Sequence, residues 1–279
     1  MMSNSSVCDR YVVIGNPIAH SKSPQIHSMF AEQTQQSLRY SALLVELDDF
    51  TASLKRLQSE GVKGANVTVP FKQEAWQAMD SLSSRAQHAK AVNTIVFMPE
   101  GKLHGENTDG LGLVADLKQN NGVELKNKRI LLLGAGGASR GVVAPFLAES
   151  PAELVVANRT LARAHELVDD FADIHQGCMR ACGFDGLEDE AFDIVINGTA
   201  ASLSGDLPPI PETVFASNAC AYDMMYGEKP TVFMDWAKRA GAKHTLDGLG
   251  MLVEQAAEAF FIWRGVRPDT SNVIAALRH

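Results

Sequence analysis

Arg129-Ile130-Leu131-Leu132-Leu133-Gly134-Ala135-Gly136-Gly137-Ala138-Ser139-Arg140 is the stretch on which the fold of this chain turns. Four consecutive apolar residues, too few for a helix and too apolar for an exposed edge, read as a buried parallel strand. Glycines follow at once and a helical pattern opens behind them. Strand, Gly-rich turn and helix in that order bring a pyrophosphate against the helix N–H groups. Ser139 stands where the dinucleotide fingerprint has its third glycine, and a small side chain there still permits close strand–helix packing. Gly134, Ala135, Gly136, Gly137 and Ala138 are therefore candidate cofactor residues.

The next strand bears on which dinucleotide. An NAD site places Asp or Glu at its end to accept from the ribose 2′-hydroxyl. This chain has Asn158-Arg159-Thr160 there, with Arg163 one turn on. A carboxylate repels a 2′-phosphate and a guanidinium pairs with it, so the cofactor reads as NADP. Thr160 also suits the cap of the LARAHEL helix, and Arg140 is placed to join the phosphate pocket or stack on adenine.

Working outward, strand-like and helix-like segments alternate almost throughout, which predicts an α/β protein with parallel sheets. Before the Gly-rich turn come a strand at RYVVIGN, a helix from Pro24 to Gln35, a strand at RYSALLVEL and a helix carrying Phe50, Leu54 and Leu57. The strand GANVTV and a helix after Pro70 come next, and AVNTIVFMPEGKLHGENTDG reads as a hairpin turning at Pro99–Gly101. Behind the turn lie ELVVANRT, LARAHELVDDF, two buried strands at FDIVINGTA and NACAYDMMY, and a closing apolar helix at GMLVEQAAEAFFIWRG. The 279 residues suffice for two domains, with a boundary near residues 110–122.

A net charge of −8 argues against a nucleic-acid partner, because phosphate contacts need clustered Lys and Arg. No apolar run approaches the ~20 residues of a membrane helix. MMSNSSVCDR lacks the basic and apolar regions of a secretory signal. Four scattered cysteines point to a reducing cytoplasm. Cys178 and Cys182 are spaced to sit one helical turn apart, without the further ligands a zinc site needs, so no metal is expected.

Polar residues gather where strands end. Ser23 is a natural N-cap and Pro24 a natural first helical residue, which leaves Ser21 and free N–H groups facing outward, a setting that suits a small carboxylate. Asn66 and Thr68 project from one face of their strand, and the break at Pro70 lets Lys72 turn back over its end. A lysine at a helix start is ordinarily a solvated charge. Here Asn93 and Asn107-Thr108-Asp109 also fall at strand ends, where ligands of open α/β sheets lodge, and the set suits a polyol or hydroxy acid.

Taken in order, Ser21-Lys22-Ser23-Pro24, Asn66 to Lys72, Ala91-Val92-Asn93-Thr94, Asn107 to Gly110, Gly134 to Ser139, Asn158-Arg159-Thr160, Asn197-Gly198-Thr199, Asp223 to Tyr226 and Gly248 to Leu252 with Gln255 closely resemble the shikimate dehydrogenase family. The resemblance implies reversible NADPH-dependent reduction of 3-dehydroshikimate to shikimate, in the pathway to chorismate and the aromatic amino acids. It implies a substrate domain over residues 1–110 and 248–279, to which the C-terminal helix returns, and a Rossmann-type NADP domain over 111–247. Lys72 and Asp109 become the catalytic pair; Ser21, Ser23 and Tyr226 the carboxylate contacts; Asn66, Thr68, Asn93 and Gln255 the contacts to ring hydroxyls. Thr199, Met224 and Gly248 join the cofactor set. A cytoplasmic monomer or homodimer is implied. The chain departs from the family at Ser84, often acidic there, at Lys90, usually small, and in the Gly-Glu-Lys-Pro that follows Tyr226. A quinate/shikimate paralogue with NAD preference is the alternative, and its acidic residue at position 158 or 159 is absent. A non-catalytic sensor would lack Lys72 or Asp109.

Overall fold

A computed structural model describes residues 8–199, 201 and 205–278; the first seven residues, with much of the segment read for a secretory signal, lie outside the described residues. The chain divides into two compact units. One runs to Thr108 and resumes over Val253–Leu277; the other is Asp109–Leu252.

The first unit holds a six-stranded sheet of β1 (Asp9–Gly15), β2 (Leu38–Leu44), β3 (Gly64–Val67), β4 (Ser81–Leu82), β5 (Thr94–Phe97) and β6 (Leu103–Glu106), in the order β2-β1-β3-β5-β6-β4. Its pairs are parallel except where β5 runs antiparallel to β3 and β6, the hairpin the sequence predicts. Helices α1 (Ser23–Gln33), α2 (Phe50–Ser59), α3 (Lys72–Ala78) and α4 (Ser84–Ala89) intervene. On one face Val12, Ile14, Ala65, Val67 and Ile95 pack with Phe50, Leu54 and Leu57 of α2 and with Phe71 and Ala75 at α3. Each large side chain so buried contributes about 1.5–3 kcal/mol.

The second unit opens with α5 (Asp109–Ala115), continued by a π-helical turn over Asp116–Asn120. Its sheet comprises β7 (Arg129–Leu133), β8 (Glu153–Ala157), β9 (Met179–Cys182), β10 (Phe192–Asn197), β11 (Phe215–Asp223) and β12 (His244–Leu246), ordered β12-β11-β10-β7-β8-β9 with every pair parallel. Helices α6 (Gly137–Ala148), α7 (Leu161–Asp169) and α8 (Val232–Arg239) cover it. Alternation divides the strands between two cores: Ile130, Leu132, Val156, Ile194 and Ile196 face one way, Leu131, Leu133, Val155 and Val195 the other. Burial on both faces is why RILLL shows no polar alternation. The chain closes on α9 (Leu249–Arg264) and α10 (Ser271–Leu277). From Val253 onward α9 belongs to the first unit, where the Trp263 indole donates to the Ile95 carbonyl at 3.1 Å and lies over Gly64.

Several local expectations change. Helix α1 starts at Ser23, so Lys22 is the cap residue, without a side-chain cap bond, and Pro24 is the second helical residue. Pro24 fits there because the first four N–H groups of a helix have no partner in it. The Ser21 hydroxyl accepts instead from the Ser23 N–H, at 3.3 Å. Cys178 and Cys182 are not a helical pair: Cys182 ends β9 and Cys178 precedes it. The short strands β4, β9 and β12 and helix α8 were not predicted. Arg140 is buried and ion-paired with Asp170 and Glu166, which commits it to holding α6 against α7 rather than to a phosphate.

Candidate functional site

In the first unit the polar residues converge where β3 ends and β5 begins. Pairing of β3 runs out at Val67, whose N–H donates to the Asn93 carbonyl at 2.8 Å. Thr68 lies just past the strand, half-buried; its N–H still reaches the Ile14 carbonyl at 2.9 Å, and its own carbonyl accepts from Phe71 at 3.0 Å. That turn, with a cis Val69–Pro70 bond, delivers Lys72 as the first residue of α3, half-buried, with its carbonyl accepting from Val92 at 2.9 Å. The strand therefore ends before Pro70 rather than at it.

Asn66 is 6% exposed and saturated on one side. The Tyr40 hydroxyl donates to its Oδ1 at 2.7 Å, and its Nδ2 donates to the Asn93 carbonyl at 3.2 Å and to Thr94 Oγ1 at 3.0 Å. Thr94 Oγ1 donates in turn to Asn93 Oδ1 at 3.0 Å, which also accepts the Thr108 N–H at 2.9 Å. Asn93 Nδ2 donates to Thr108 Oγ1 at 2.9 Å and to Gln255 Oε1 at 3.3 Å. Asn107 closes the cluster by donating to the Ala91 carbonyl at 3.1 Å. The buried amides and hydroxyls thus pair among themselves, as a polar group taken from water must.

Asp109 opens the second unit at the first turn of α5, 6% exposed. Gly110 behind it has no room for a side chain: a Cβ would stand 2.5 Å from the Gly141 carbonyl oxygen and 2.6 Å from Pro145 Cγ. The glycine of Asn-Thr-Asp-Gly is thus a packing requirement of α5 on α6 that fixes where Asp109 sits.

The Gly-rich turn lies at the C-terminal edge of the second sheet. Gly134 has φ +97°, in the left-handed region, and a Cβ there would press on Thr199 and Gly198. Gly136 and Gly137, at the α6 N-terminus, are exposed, and a Cβ at either would meet nothing within 4 Å, so this side of the turn is open. Ser139 is fully buried and its Oγ would meet a Cβ at Gly198 at 2.4 Å, the close packing the fingerprint position demands. Thr199 donates through its N–H and its hydroxyl to Asn197 Oδ1, at 3.1 and 2.7 Å. Gly248 has no space for a side chain beside the Met224 carbonyl, so Met224, Gly198, Thr199 and Gly134 form one edge.

Beside that edge is a cleft of about 600 Å³ lined by Asn158, Arg159, Phe184, Thr199, Ala201, Asp206, Leu207, Pro208 and Pro209. Asn158 Nδ2 donates to the Thr160 carbonyl at 2.9 Å and orders the turn from β8 into α7. Thr160 caps α7 by position but without a side-chain hydrogen bond. Arg159 is exposed at the cleft; Arg163 is exposed on α7 and is not among the lining residues. An open glycine cradle at a helix N-terminus, with an arginine and no carboxylate at the end of β8, fits a dinucleotide carrying a 2′-phosphate. Tyr226 follows β11 in this unit, 36% exposed, its phenol pKa raised by burial of the rest of the ring. Among the described residues no group of His, Cys, Asp and Glu forms a metal site, and no helix is long and apolar enough to cross a membrane.

Tyr40 and His27 escaped the sequence reading, and Thr94 and Thr108 entered it only as members of Ala91-Val92-Asn93-Thr94 and Asn107-Thr108-Asp109. His27 carried one signal, standing four residues after Ser23 on the same face of α1. Its ring is 1% exposed and stacks on Tyr40 at 4.1 Å and 6°, among Phe30, Phe260 and Trp263. Burial lowers its pKa to about 3, so the imidazole is neutral throughout the working range. Tyr40 had none, because a tyrosine in a strand looks like any packing residue.

Residues 13–95 match the shikimate dehydrogenase substrate binding domain, residues 116–204 the shikimate / quinate 5-dehydrogenase family, and residues 248–278 the shikimate 5′-dehydrogenase C-terminal domain. The shikimate dehydrogenase (NADP(+)) of Alkalilimnicola ehrlichii is 55% identical over 97% of this chain and 98% of its own. An Ael1 enzyme from Pseudomonas putida is 48% identical with a TM-score of 0.91, covering 97% of this chain and 98% of that one. The shikimate 5-dehydrogenase of Thermus thermophilus, solved with NADP(H) and shikimate, is 34% identical with a TM-score of 0.85, over 97% and 98% of the two chains.

Proposed function

The chain belongs to the shikimate dehydrogenase family, and from that premise we propose how its residues divide the work of interconverting 3-dehydroshikimate and shikimate. The chain is an NADP-dependent oxidoreductase acting on a CH–OH group, with a small hydroxy acid as substrate. NADP, when bound, supplies or accepts the hydride.

Lys72 and Asp109 act on the reacting oxygen. As a carbonyl is reduced, negative charge grows on that oxygen; an ammonium stabilises it and is a source of the proton, while a carboxylate orients the ammonium and the neighbouring hydroxyl. Ser21, Ser23 and Tyr226 hold the carboxylate of the substrate. Asn66, Thr68, Asn93 and Gln255 hold its ring hydroxyls. The single observation that carries this reading is the self-satisfied Asn66–Thr94–Asn93–Gln255 cluster, in the unit whose β3 turn delivers Lys72. A cluster of amides with shared, directed hydrogen bonds discriminates hydroxyl positions, which an apolar pocket does poorly.

On the cofactor side Gly134, Ala135, Gly136, Gly137 and Ala138 form the pyrophosphate turn. Asn158, Arg159 and Thr160 take the adenosine 2′-phosphate, with Arg163 an outlying charge, and Thr199, Met224 and Gly248 line the nicotinamide side. Residues up to about Thr108 with the C-terminal helices serve the substrate, and the intervening unit serves NADP. Four free thiols suit a cytoplasmic enzyme, which we expect as a monomer or homodimer.

The test is turnover by the purified protein, followed as NADPH formation from shikimate and NADP+. Robust shikimate oxidation with NADP+, and slower reaction with NAD+ or with quinate, is the expected result. Absence of shikimate-dependent NADPH formation overturns the reading. Comparable rates with quinate and NAD+ would favour the quinate/shikimate alternative.

A further inference from the structure

The hydrogen bonds around Asn66 have a direction, and the direction starts at a residue to which no role has been given. The Asn93 carbonyl oxygen can only accept, so the group of Asn66 that faces it, at 3.2 Å, must be the amide NH2. That fixes Oδ1 on the Tyr40 side, where the Tyr40 hydroxyl donates to it at 2.7 Å. Both hydrogens of Nδ2 are spent, one on the Asn93 carbonyl and one on Thr94 Oγ1 at 3.0 Å. The hydroxyl of Thr94, having accepted from Asn66, donates to Asn93 Oδ1, and Asn93 donates through Nδ2 to Gln255 Oε1. Donation therefore runs one way, from Tyr40 through Asn66, Thr94 and Asn93 to Gln255.

The Asn93 carbonyl sets that direction, and Tyr40 is well placed to hold the oxygen end of the Asn66 amide. It stands on β2 in register with Tyr11, two rows behind Asn66 and on the same face of the sheet. Its ring is held by the parallel stack on His27, with centroids 4.1 Å apart and planes 6° from parallel, which places the imidazole against the face of the phenol ring. Burial also raises the Tyr40 pKa well above its ordinary value, so the phenol is a donor at any working pH. Ser23 lies beside the same oxygen and counters that rise.

We propose that Tyr40 is the positioning residue of the substrate unit: by donating to Asn66 Oδ1 it locks the amide so that Asn66 can meet a substrate hydroxyl only as an acceptor, through the remaining lone pair of Oδ1. This rests on the role given to Asn66 above. Without the phenol hydrogen, Oδ1 loses its anchor and the amide is free to tilt, so the substrate hydroxyl meets a less ordered partner. The chemistry at the reacting oxygen is untouched.

Tyr40→Phe keeps the stack on His27 and removes only the hydroxyl. It should raise KM for shikimate about tenfold, the order expected for one misplaced buried hydrogen bond, while kcat and KM for NADP+ stay within about twofold. In the Asn66→Ala background the same change should add less than about twofold, because its target is gone. Thermal unfolding without ligand reports any structural loss separately. A Tyr40→Phe protein with unchanged KM for shikimate, or with effects that multiply fully on those of Asn66→Ala, overturns the inference while leaving the function intact. Wild-type protein that neither binds nor oxidises shikimate overturns the function, and this inference with it.

Discussion

Lys72 opens a helix, and a lysine there is usually a solvated charge. Its setting differs: it is half-buried, its carbonyl is tied to Val92, and the turn that delivers it begins at Thr68. Lys72→Ala should therefore lower kcat by about 10²–10⁴-fold with little change in KM for shikimate, the range typical of a removed general acid. A rise in KM alone, in steady-state assays, would reduce Lys72 to a binding group. His27 makes a different kind of statement, about stability. Its pKa falls from 6.5 unfolded to about 3 folded, so between those values the unfolded chain binds the extra proton. Its contribution is full above pH 6.5 and is lost as pH falls towards 3, at up to about 1.4 kcal/mol per pH unit. Denaturant titrations at several pH values should show His27→Phe with a shallower loss of stability below pH 6.5; parallel curves would remove His27 as a source of acid sensitivity. Asn66 and Asn93 were legible because amides stand out among apolar neighbours and recur at strand ends, whereas Gln255, inside α9, came only from the family resemblance. Tyr40, 26 residues away from its partner Asn66, was not, since nothing local separates a tyrosine that packs from one that donates.

At the scale of elements the hydrophobic pattern carried most of the fold. RILLL and FDIVIN, buried on two faces, could be read as central strands, and the β5–β6 hairpin followed from its Pro-Glu-Gly turn. What escaped were β4, β9 and β12, of two to four residues, which lie at sheet edges or ends and are too short to show a period. The cap of α1 was misplaced by one residue because Ser23 and Pro24 each fit two adjoining positions of a first turn. Close approach of elements was equally hidden. Gly64 looked like an ordinary strand start, yet a Cβ there would lie 2.4 Å from Trp263 Nε1 and 2.9 Å from the Ile95 carbonyl oxygen. Gly64→Ala should push α9 off the sheet and strain the indole's hydrogen bond, costing about 1–3 kcal/mol by equilibrium denaturation, as overpacking does. A neutral result would mean that Trp263 yields without loss and that α9 is not held there.

Across the whole molecule the two units carry different chemistry in different materials. The first concentrates directed amides and hydroxyls around β3 and β5, suited to counting hydroxyls on a ring. The second presents an exposed glycine turn at a helix N-terminus, with an arginine and no carboxylate at the end of β8, suited to phosphates. With a net charge of −8, the protein has little general attraction for an anionic cofactor, so recognition of NADP has to come from these local groups rather than from a long-range field. A division of labour of this kind has a consequence in hydrogen exchange. A ligand that binds only the native state raises stability by about 2.7 kcal/mol at a hundred times its Kd, and slows exchange most where it touches. NADP+ alone should protect amides at 134–140, 158–160 and 197–199, and shikimate alone those at 21–27, 66–68 and 91–95. Protection by shikimate confined to the second unit would reverse the assignment of the two units. Protection by NADP+ without any change at 158–160 would instead remove Arg159 as the 2′-phosphate contact, because a guanidinium paired with that phosphate must order the turn that Asn158 already ties to Thr160.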